Sequence, residues 1–139
     1  MCNIRITILL KIKKGDVIIT YQAINLNEKL SKFNDLWSPK VIGEMNNYQF
    51  KLIKIAGDYE WHVHQDTDKV FIVHEGEMIL DFRDGQVKIP KGEMIIVPKG
   101  IEMKPSAEKE CHIMLIEPRS EVNSGGTESE ANASNDTWI

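Results

Sequence analysis

Glycine and proline interrupt this chain so often that long helices and helical crossovers have no room. Turn pairs and triplets recur at Gly57-Asp58, Glu75-Gly76, Asp84-Gly85, Pro90-Lys-Gly92 and Pro98-Lys-Gly100. Glycine reaches the left-handed backbone that tight turns need, and proline removes a backbone donor. The pieces between them are short and rich in residues that suit a pleated surface. They are Val70-Phe-Ile-Val-His74, Met78 to Arg83, Val87 to Ile89, Met94 to Val97 and Cys111 to Ile116. Asp84-Gly85 favours a tight hairpin. Upstream, Arg5 to Lys13 and Val17 to Ala23 read as strands joined across Lys14-Gly15-Asp16, and Tyr48 to Ala56 reads as another. Only Asn27 to Leu36 has helical spacing. Leu30, Phe33 and Leu36 recur every third residue there, Asn27 is the expected cap and Pro39 the terminator. Strands broken by turns every ~8–12 residues predict an all-β sandwich or barrel.

Composition narrows the functions open to such a chain. Its 139 residues, 42% of them apolar, suit one domain with one core. A formal charge of −4 lacks the basic excess of a nucleic-acid surface. Cys2 and Cys111 are too far apart in sequence for a zinc knuckle or a disulfide framework. The apolar stretch Ile4 to Leu10 is broken by Arg5 and lacks a cleavage site, so it does not read as a signal peptide. No run approaches the roughly 18 apolar residues of a membrane span. The expectation is a cytoplasmic protein that binds neither nucleic acid nor membrane.

The feature that points to chemistry is His62 with His64, one residue apart just before the Val70 strand. Alternate residues of a strand face the same side, so both imidazoles can enter one cavity, about 7 Å apart along the backbone. Two neutral imidazoles aimed at one point are the usual start of a divalent-metal site. Lys69 shares the parity of Phe71 and Val73 and is expected to face inward with them. Trp61 and His74 have the opposite parity and are expected to face out. Tyr48, Phe50 and Phe71 are expected in the core or a pocket wall. Lys51 and Lys54 read as surface charges, with Lys51 a weaker pocket candidate. Asp66 and Asp68 read as turn formers. No phosphate loop and no nucleophile motif is present.

These residues resemble the cupin family. Its first motif reads here as Gly57, His62, His64, position 69 and Gly76, and its second as Gly92, Pro98, Gly100 and positions 103 and 107. Trp37-Ser-Pro39, Trp61-His-x-His64, Asp68, Phe71-x-Val73, Gly92-Glu-x-x-x-Val-Pro98, Leu115-Ile-Glu-Pro118 and Asn123-Ser-Gly are similar to small single-domain bacterial cupins of the mannose-6-phosphate-isomerase-like group. The resemblance implies an antiparallel β-barrel of cupin type, a double-stranded β-helix or jelly roll. It implies N-terminal strands and a short helix at 1–44, the barrel at 45–118 and a polar tail at 119–139. Trp138 and Ile139 could then close over the barrel. An unpaired N-terminal edge strand makes a homodimer the expected assembly.

The family's ligand set is incomplete. Where it carries a glutamate, a histidine and an asparagine, this chain has Lys69, Met103 and Ala107. A protonated amine brings positive charge and no lone pair. Lys69 is therefore a clamp for an anion or carbonyl, a lysine of lowered pKa, or a side chain whose amine escapes at the barrel mouth. Met103 is either a soft thioether ligand or an apolar filler. The expected site is a small-molecule pocket with a degenerate metal centre, in which His62, His64, Lys69, Met103 and Phe71 meet a small polar or anionic ligand. No cofactor is expected, or at most one divalent ion held weakly by His62 and His64. The alternative is a metal-free or weakly metal-dependent isomerase or epimerase acting on a sugar-like or small carbonyl substrate, with His62, His64 and Lys69 as the catalytic candidates. Sequence leaves open whether the chain is an enzyme.

Overall fold

The computed structural model describes residues 10–14, 17–119 and 137–139. Strands β1 (Leu10–Lys14) and β2 (Val17–Tyr21) form a two-stranded antiparallel sheet of their own. The remainder of the Arg5 strand, Cys2 and the Asn123-Ser-Gly segment lie outside the described residues. Helix α1 (Leu26–Leu30) is shorter than its apolar spacing predicts. Asn25, not Asn27, caps it: the Asn25 side-chain oxygen accepts from the Glu28 backbone N–H at 3.0 Å. Asn27 instead meets His74, whose Nε2 lies 3.0 Å from the amide oxygen.

Eight further strands make one sheet: β3 (Lys40–Met45), β4 (Tyr48–Asp58), β5 (His62–Val63), β6 (Lys69–Glu75), β7 (Glu77–Phe82), β8 (Gly85–Pro90), β9 (Met94–Val97) and β10 (Glu102–Pro118). All its strand pairs are antiparallel. The last strand is the organising element. It runs 17 residues, far beyond the Cys111 to Ile116 piece that apolar content marks. Its first half pairs with β5 and β7 and its second half with β6, while β4 runs beside it from Ser106 to Pro118. A register break between Ala107 and Cys111 separates the two regions on the β4 side. A bulge bends a strand and raises its twist, which lets β10 serve neighbours on both sides of the bend.

The expected barrel and jelly roll are not what forms. The sheet follows the path β3-β4-β10-β6-β9, with β5, β7 and β8 branching from it, and it does not close. Among the described residues, β3 pairs only with β4, β9 only with β6 and β8 only with β7. A strand has two hydrogen-bonding edges, and closure needs every one of them filled by another strand. Here β10 uses its edges on four partners, and among the described residues β8 and β9 each pair with one strand only. The edge of β3 carries a single parallel bridge from Val41 to Trp138. The backbone bonds Val41 N–H to Thr137 O at 2.7 Å and Ile139 N–H to Val41 O at 3.2 Å hold that last segment.

The core has two parts, one on each side of β4. The larger contains Ile53, Ile55, Phe71, Val73, Met78, Leu80, Met103, Ile113 and Leu115. The smaller contains Leu30, Phe33, Ile42 and Leu52, with Leu26, Phe50 and Ile139 packed against it. Helix α1 thus covers the outer face of β4, and the strand is buried on both faces. This reverses the reading of Lys51 and Lys54 as surface charges: both are buried. Lys54 Nζ donates to the Phe33 carbonyl at 2.7 Å and sits 4.8 Å from the Phe33 ring centre. Tyr48, expected inside, is exposed.

Candidate functional site

The site lies where β4, β5, β6, β7 and β10 meet, on the inner side of the folded sheet. The period of two does most of the placing. Lys69, Phe71 and Val73 alternate inward along β6, and Cys111, Ile113, Leu115 and Glu117 do so along β10. Strand β5 is two residues long, yet it fixes His62 opposite Met103 of β10. The Gly100 N–H donates to the His64 carbonyl at 2.8 Å and pins the exit of that strand. Asp68 ties its loop to a distant one, its side chain accepting from the Lys99 N–H at 2.8 Å.

His62 and His64 converge, as their spacing predicts. Both are buried, and their ring centres are 5.0 Å apart, edge to face. His62 Nδ1 donates to the Glu60 carbonyl oxygen at 2.9 Å. That bond selects the tautomer with the proton on Nδ1 and leaves Nε2 as the acceptor of the neutral ring. Burial lowers the pKa of His62, the nearby Lys69 charge adds to this, and the Glu60 carbonyl and charge oppose it. Burial pushes His64 down to about 3, helped by the charges of Lys69 and His62. Both imidazoles are neutral at pH 7.

Lys69 faces inward but does not escape to solvent. Its ammonium pairs with Glu117, whose other carboxylate oxygen accepts from Lys51 Nζ at 2.9 Å. The three side chains are 4%, 1% and 0% exposed respectively, so the cluster is a buried Lys–Glu–Lys triad. Register explains the meeting. Leu115 of β10 lies opposite Lys51 on β4 and opposite Phe71 on β6. Glu117, two residues further on the same face, reaches Lys51 diagonally from its partner Gln49, and the register that sets Leu115 opposite Phe71 carries it across from Lys69. Burial pushes the Glu117 pKa up, but the two lysine charges and their hydrogen bonds outweigh it and hold the carboxyl below its ordinary value.

A narrow cavity opens beside this cluster. Its volume is about 30 Å³, in a measure where one water needs roughly 10–15 Å³. Most of its wall is hydrocarbon: Ile53, Ile55, Phe71, Met78, Ile113 and Leu115, with Pro105. Three polar side chains join them, Tyr59, His62 and Lys69. Trp37 completes the wall, held by bonds from its backbone N–H to the Lys54 carbonyl (2.8 Å) and from Nε1 to the Ala56 carbonyl (3.1 Å). Its φ is +60°, a left-handed conformation that bulky residues rarely adopt. Trp37 and Tyr59 stack with ring centres 4.7 Å apart, and Tyr59 meets the His62 ring at 5.4 Å. Burial and the Glu60 charge push the Tyr59 hydroxyl up to about 12, so it is a neutral donor.

Of the residues selected from sequence, His62, Lys69 and Phe71 reach the cavity. His64 lies beside His62, and Met103 is packed in the core. Trp61 turns away, as its parity predicts, under the Arg83 guanidinium, 3.7 Å from its ring centre. Arg83 is held there by two bonds to Glu102, at 3.0 and 2.8 Å. Sequence reading passed over Tyr59 and Glu117 as site residues, and took Lys51 only as a surface charge or weak pocket candidate. The signal for the last two was present: Lys51 has the parity of Ile53 and Ile55, and Glu117 that of Ile113 and Leu115.

The donor set does not fit a divalent cation. Two imidazoles remain, the third position presents an ammonium already paired to Glu117, and the fourth is a thioether inside the apolar core. Among the described residues no group of three or more His, Cys, Asp or Glu side chains is placed to hold a metal ion. No helix among them is long and apolar enough to cross a membrane.

Known proteins share this architecture. The family model for the cupin domain matches residues 51–117, which contain every cavity-wall residue except Trp37. The crystal structure of a cupin-2 domain containing protein from Shewanella frigidimarina is 57% identical, covering 69% of this chain and 94% of that one, with a TM-score of 0.68. Protein NMB1881 of Neisseria meningitidis is 41% identical over 69% of this chain and 98% of its own, with a TM-score of 0.64. The Bacillus subtilis protein YdbB is 40% identical over 60 residues, which is 42% of this chain and 53% of YdbB, so the match spans about half of that relative. With two solved structures matched over nearly their whole length, and the paired histidines on the inner face of the same sheet, this chain belongs to the cupin superfamily.

Proposed function

We propose that the protein is a small-molecule-binding cupin domain with a degenerate metal centre. The observation that carries this reading is the meeting of His62 and Lys69 in the wall of one narrow, largely apolar cavity. A pocket lined mostly by hydrocarbon with a few convergent polar groups is the usual form of a small-molecule site. Lys69 stands at the position of the family's carboxylate and brings the opposite charge. A cation entering beside His62 and His64 would meet a buried ammonium instead of a counter-charge. The positive charge that a metal would supply is therefore already built into the chain.

The sugar isomerase and epimerase reading has less support. A sugar-like substrate needs many hydrogen-bonding partners, and this wall offers three polar side chains against eight others. The mannose-6-phosphate-isomerase-like grouping accordingly contributes nothing to the proposal.

Native mass spectrometry of the purified protein, paired with elemental analysis after dialysis, tests the proposal. A retained small molecule, or one captured from a metabolite library with a cavity-blocking Ile113→Trp variant as control, is the expected result. The metal content is expected far below one ion per chain. Zinc, nickel, iron or manganese near one equivalent would overturn the degenerate-centre reading. Binding unaffected by the blocking variant would overturn the pocket. Lys69→Glu combined with Met103→His restores the family's ligand types and is expected to raise zinc affinity.

A further inference from the structure

The wall of the cavity carries more positive charge than the protein itself cancels. Lys51, Glu117 and Lys69 are buried together, two ammonium groups against one carboxylate. Of the three, only Lys69 lines the cavity. Its ammonium has three N–H donors, and Glu117 is its one hydrogen-bond partner among the described residues. The Phe71 ring centre lies 6.0 Å from Lys69 Nζ, a face that attracts the charge but accepts no strong hydrogen bond. Glu60 is the other carboxylate whose field reaches His62 and Tyr59, and it is not part of the cavity wall.

A buried cation with partial compensation is costly, and an anion placed against it recovers that cost. The remaining wall is hydrocarbon and leaves a second ligand charge without a partner. The partly exposed wall residues are Trp37 and Tyr59, so the entrance is aromatic. Resting on the small-molecule reading above and deepening it, we infer that the site takes a compact monoanion, a carboxylate with a short apolar body. The carboxylate accepts from the Lys69 ammonium beside the Tyr59 hydroxyl, and the body lies against Phe71, Ile53 and Ile113. A dianion is excluded by charge, because the triad supplies one net positive charge. A neutral analogue of the same shape forgoes the only strong interaction on offer.

Titration calorimetry with three probes of matched shape tests this: isobutyrate, its neutral amide isobutyramide, and the dianion methylmalonate. Isobutyrate is expected to bind about tenfold tighter than either of the others. Lys69→Met leaves Lys51 and Glu117 as a neutral pair and is expected to fold while losing the preference for isobutyrate. The ranking on the wild-type protein decides the question even if that variant does not fold. Isobutyramide binding as tightly as isobutyrate, or methylmalonate binding more tightly, would overturn the monoanion inference while leaving a small-molecule pocket in place. Absence of binding by all three at about 20 mM would also overturn it. The pocket itself would then stand or fall on the retained-ligand measurement above.

Discussion

Glu117 is the carboxylate that two buried lysines share, and Glu117→Gln isolates its charge with little change in shape. In the native protein its carboxylate sits between Lys51 and Lys69, and all three side chains are at least 96% buried. The substitution leaves two buried ammonium groups facing a neutral amide. Removing one partner of a buried ion pair costs about 3–5 kcal/mol, because the other charge stays buried and unpaired. There is a ceiling. An ordinary lysine can shed its proton at pH 7 for about 5 kcal/mol, given about 1.4 kcal/mol per pH unit and a reference pKa near 10.4. Expected destabilisation is therefore about 3–5 kcal/mol, a large part of the 5–15 kcal/mol typical of a domain. At about 3–5 °C per kcal/mol for a chain of this size, the midpoint falls by roughly 10–25 °C. Urea and thermal unfolding at pH 7 measure the loss. Repeating them toward pH 10 tests its origin, since the variant regains stability as a lysine neutralises. Lys69→Met is the contrast: it leaves one cation against one anion and is expected within about 1 kcal/mol of wild type. A Glu117→Gln protein within 1 kcal/mol of wild type, or a Lys69→Met protein harmed as badly as Glu117→Gln, would refute the argument.

Acid stability follows from the histidines. Their folded pKa values are depressed, so the unfolded chain binds more protons below about pH 6.5; for His64 stability falls from there down to about pH 3 by up to ~1.4 kcal/mol per pH unit, and His62 acts in the same direction. His64→Gln should flatten that slope in urea titrations between pH 6.5 and 4; an unchanged slope would remove His64 as the cause. Gly76→Ala is expected to cost about 1–3 kcal/mol or more, because its φ is +83° and a Cβ would sit 3.0 Å from the Glu110 carbonyl oxygen and 3.1 Å from Cys111 Cα. Gly100→Ala, at φ +82° with nothing within 4 Å, should cost less, and equal losses by thermal unfolding would show that the contact is irrelevant. A homodimer is expected, since among the described residues β9 pairs on one side only and exposes Met94 and Ile96. Light scattering at micromolar concentration should give twice the chain mass, with Ile96→Lys shifting it to the monomer; a monomer mass for the wild type would count against it.

What the chain determined by itself is what a period of two can state. His62 and His64 had to share a side, Lys69 had to follow Phe71 and Val73 inward, and Trp61 had to turn away, because the pleat alternates whatever the partner strand is. The glycine turns marked where strands end, since positive φ at Gly57, Gly76, Gly92 and Gly100 is a local requirement. What pairs with what was decided only by the tertiary structure. Glu117 lies 66 residues from Lys51 and 48 from Lys69 in sequence, and only the registers of β10 with β4 and β6 bring the three together. The same holds for the open sheet. The strand rhythm fits a closed barrel and an unclosed sheet equally well, because closure depends on which edges meet. Lys69 shows the difference most clearly. Its inward direction is a property of its own strand, but the partner that keeps its amine from solvent is a carboxylate on another strand. A residue's own neighbours set where it points; the distant chain sets what it finds there.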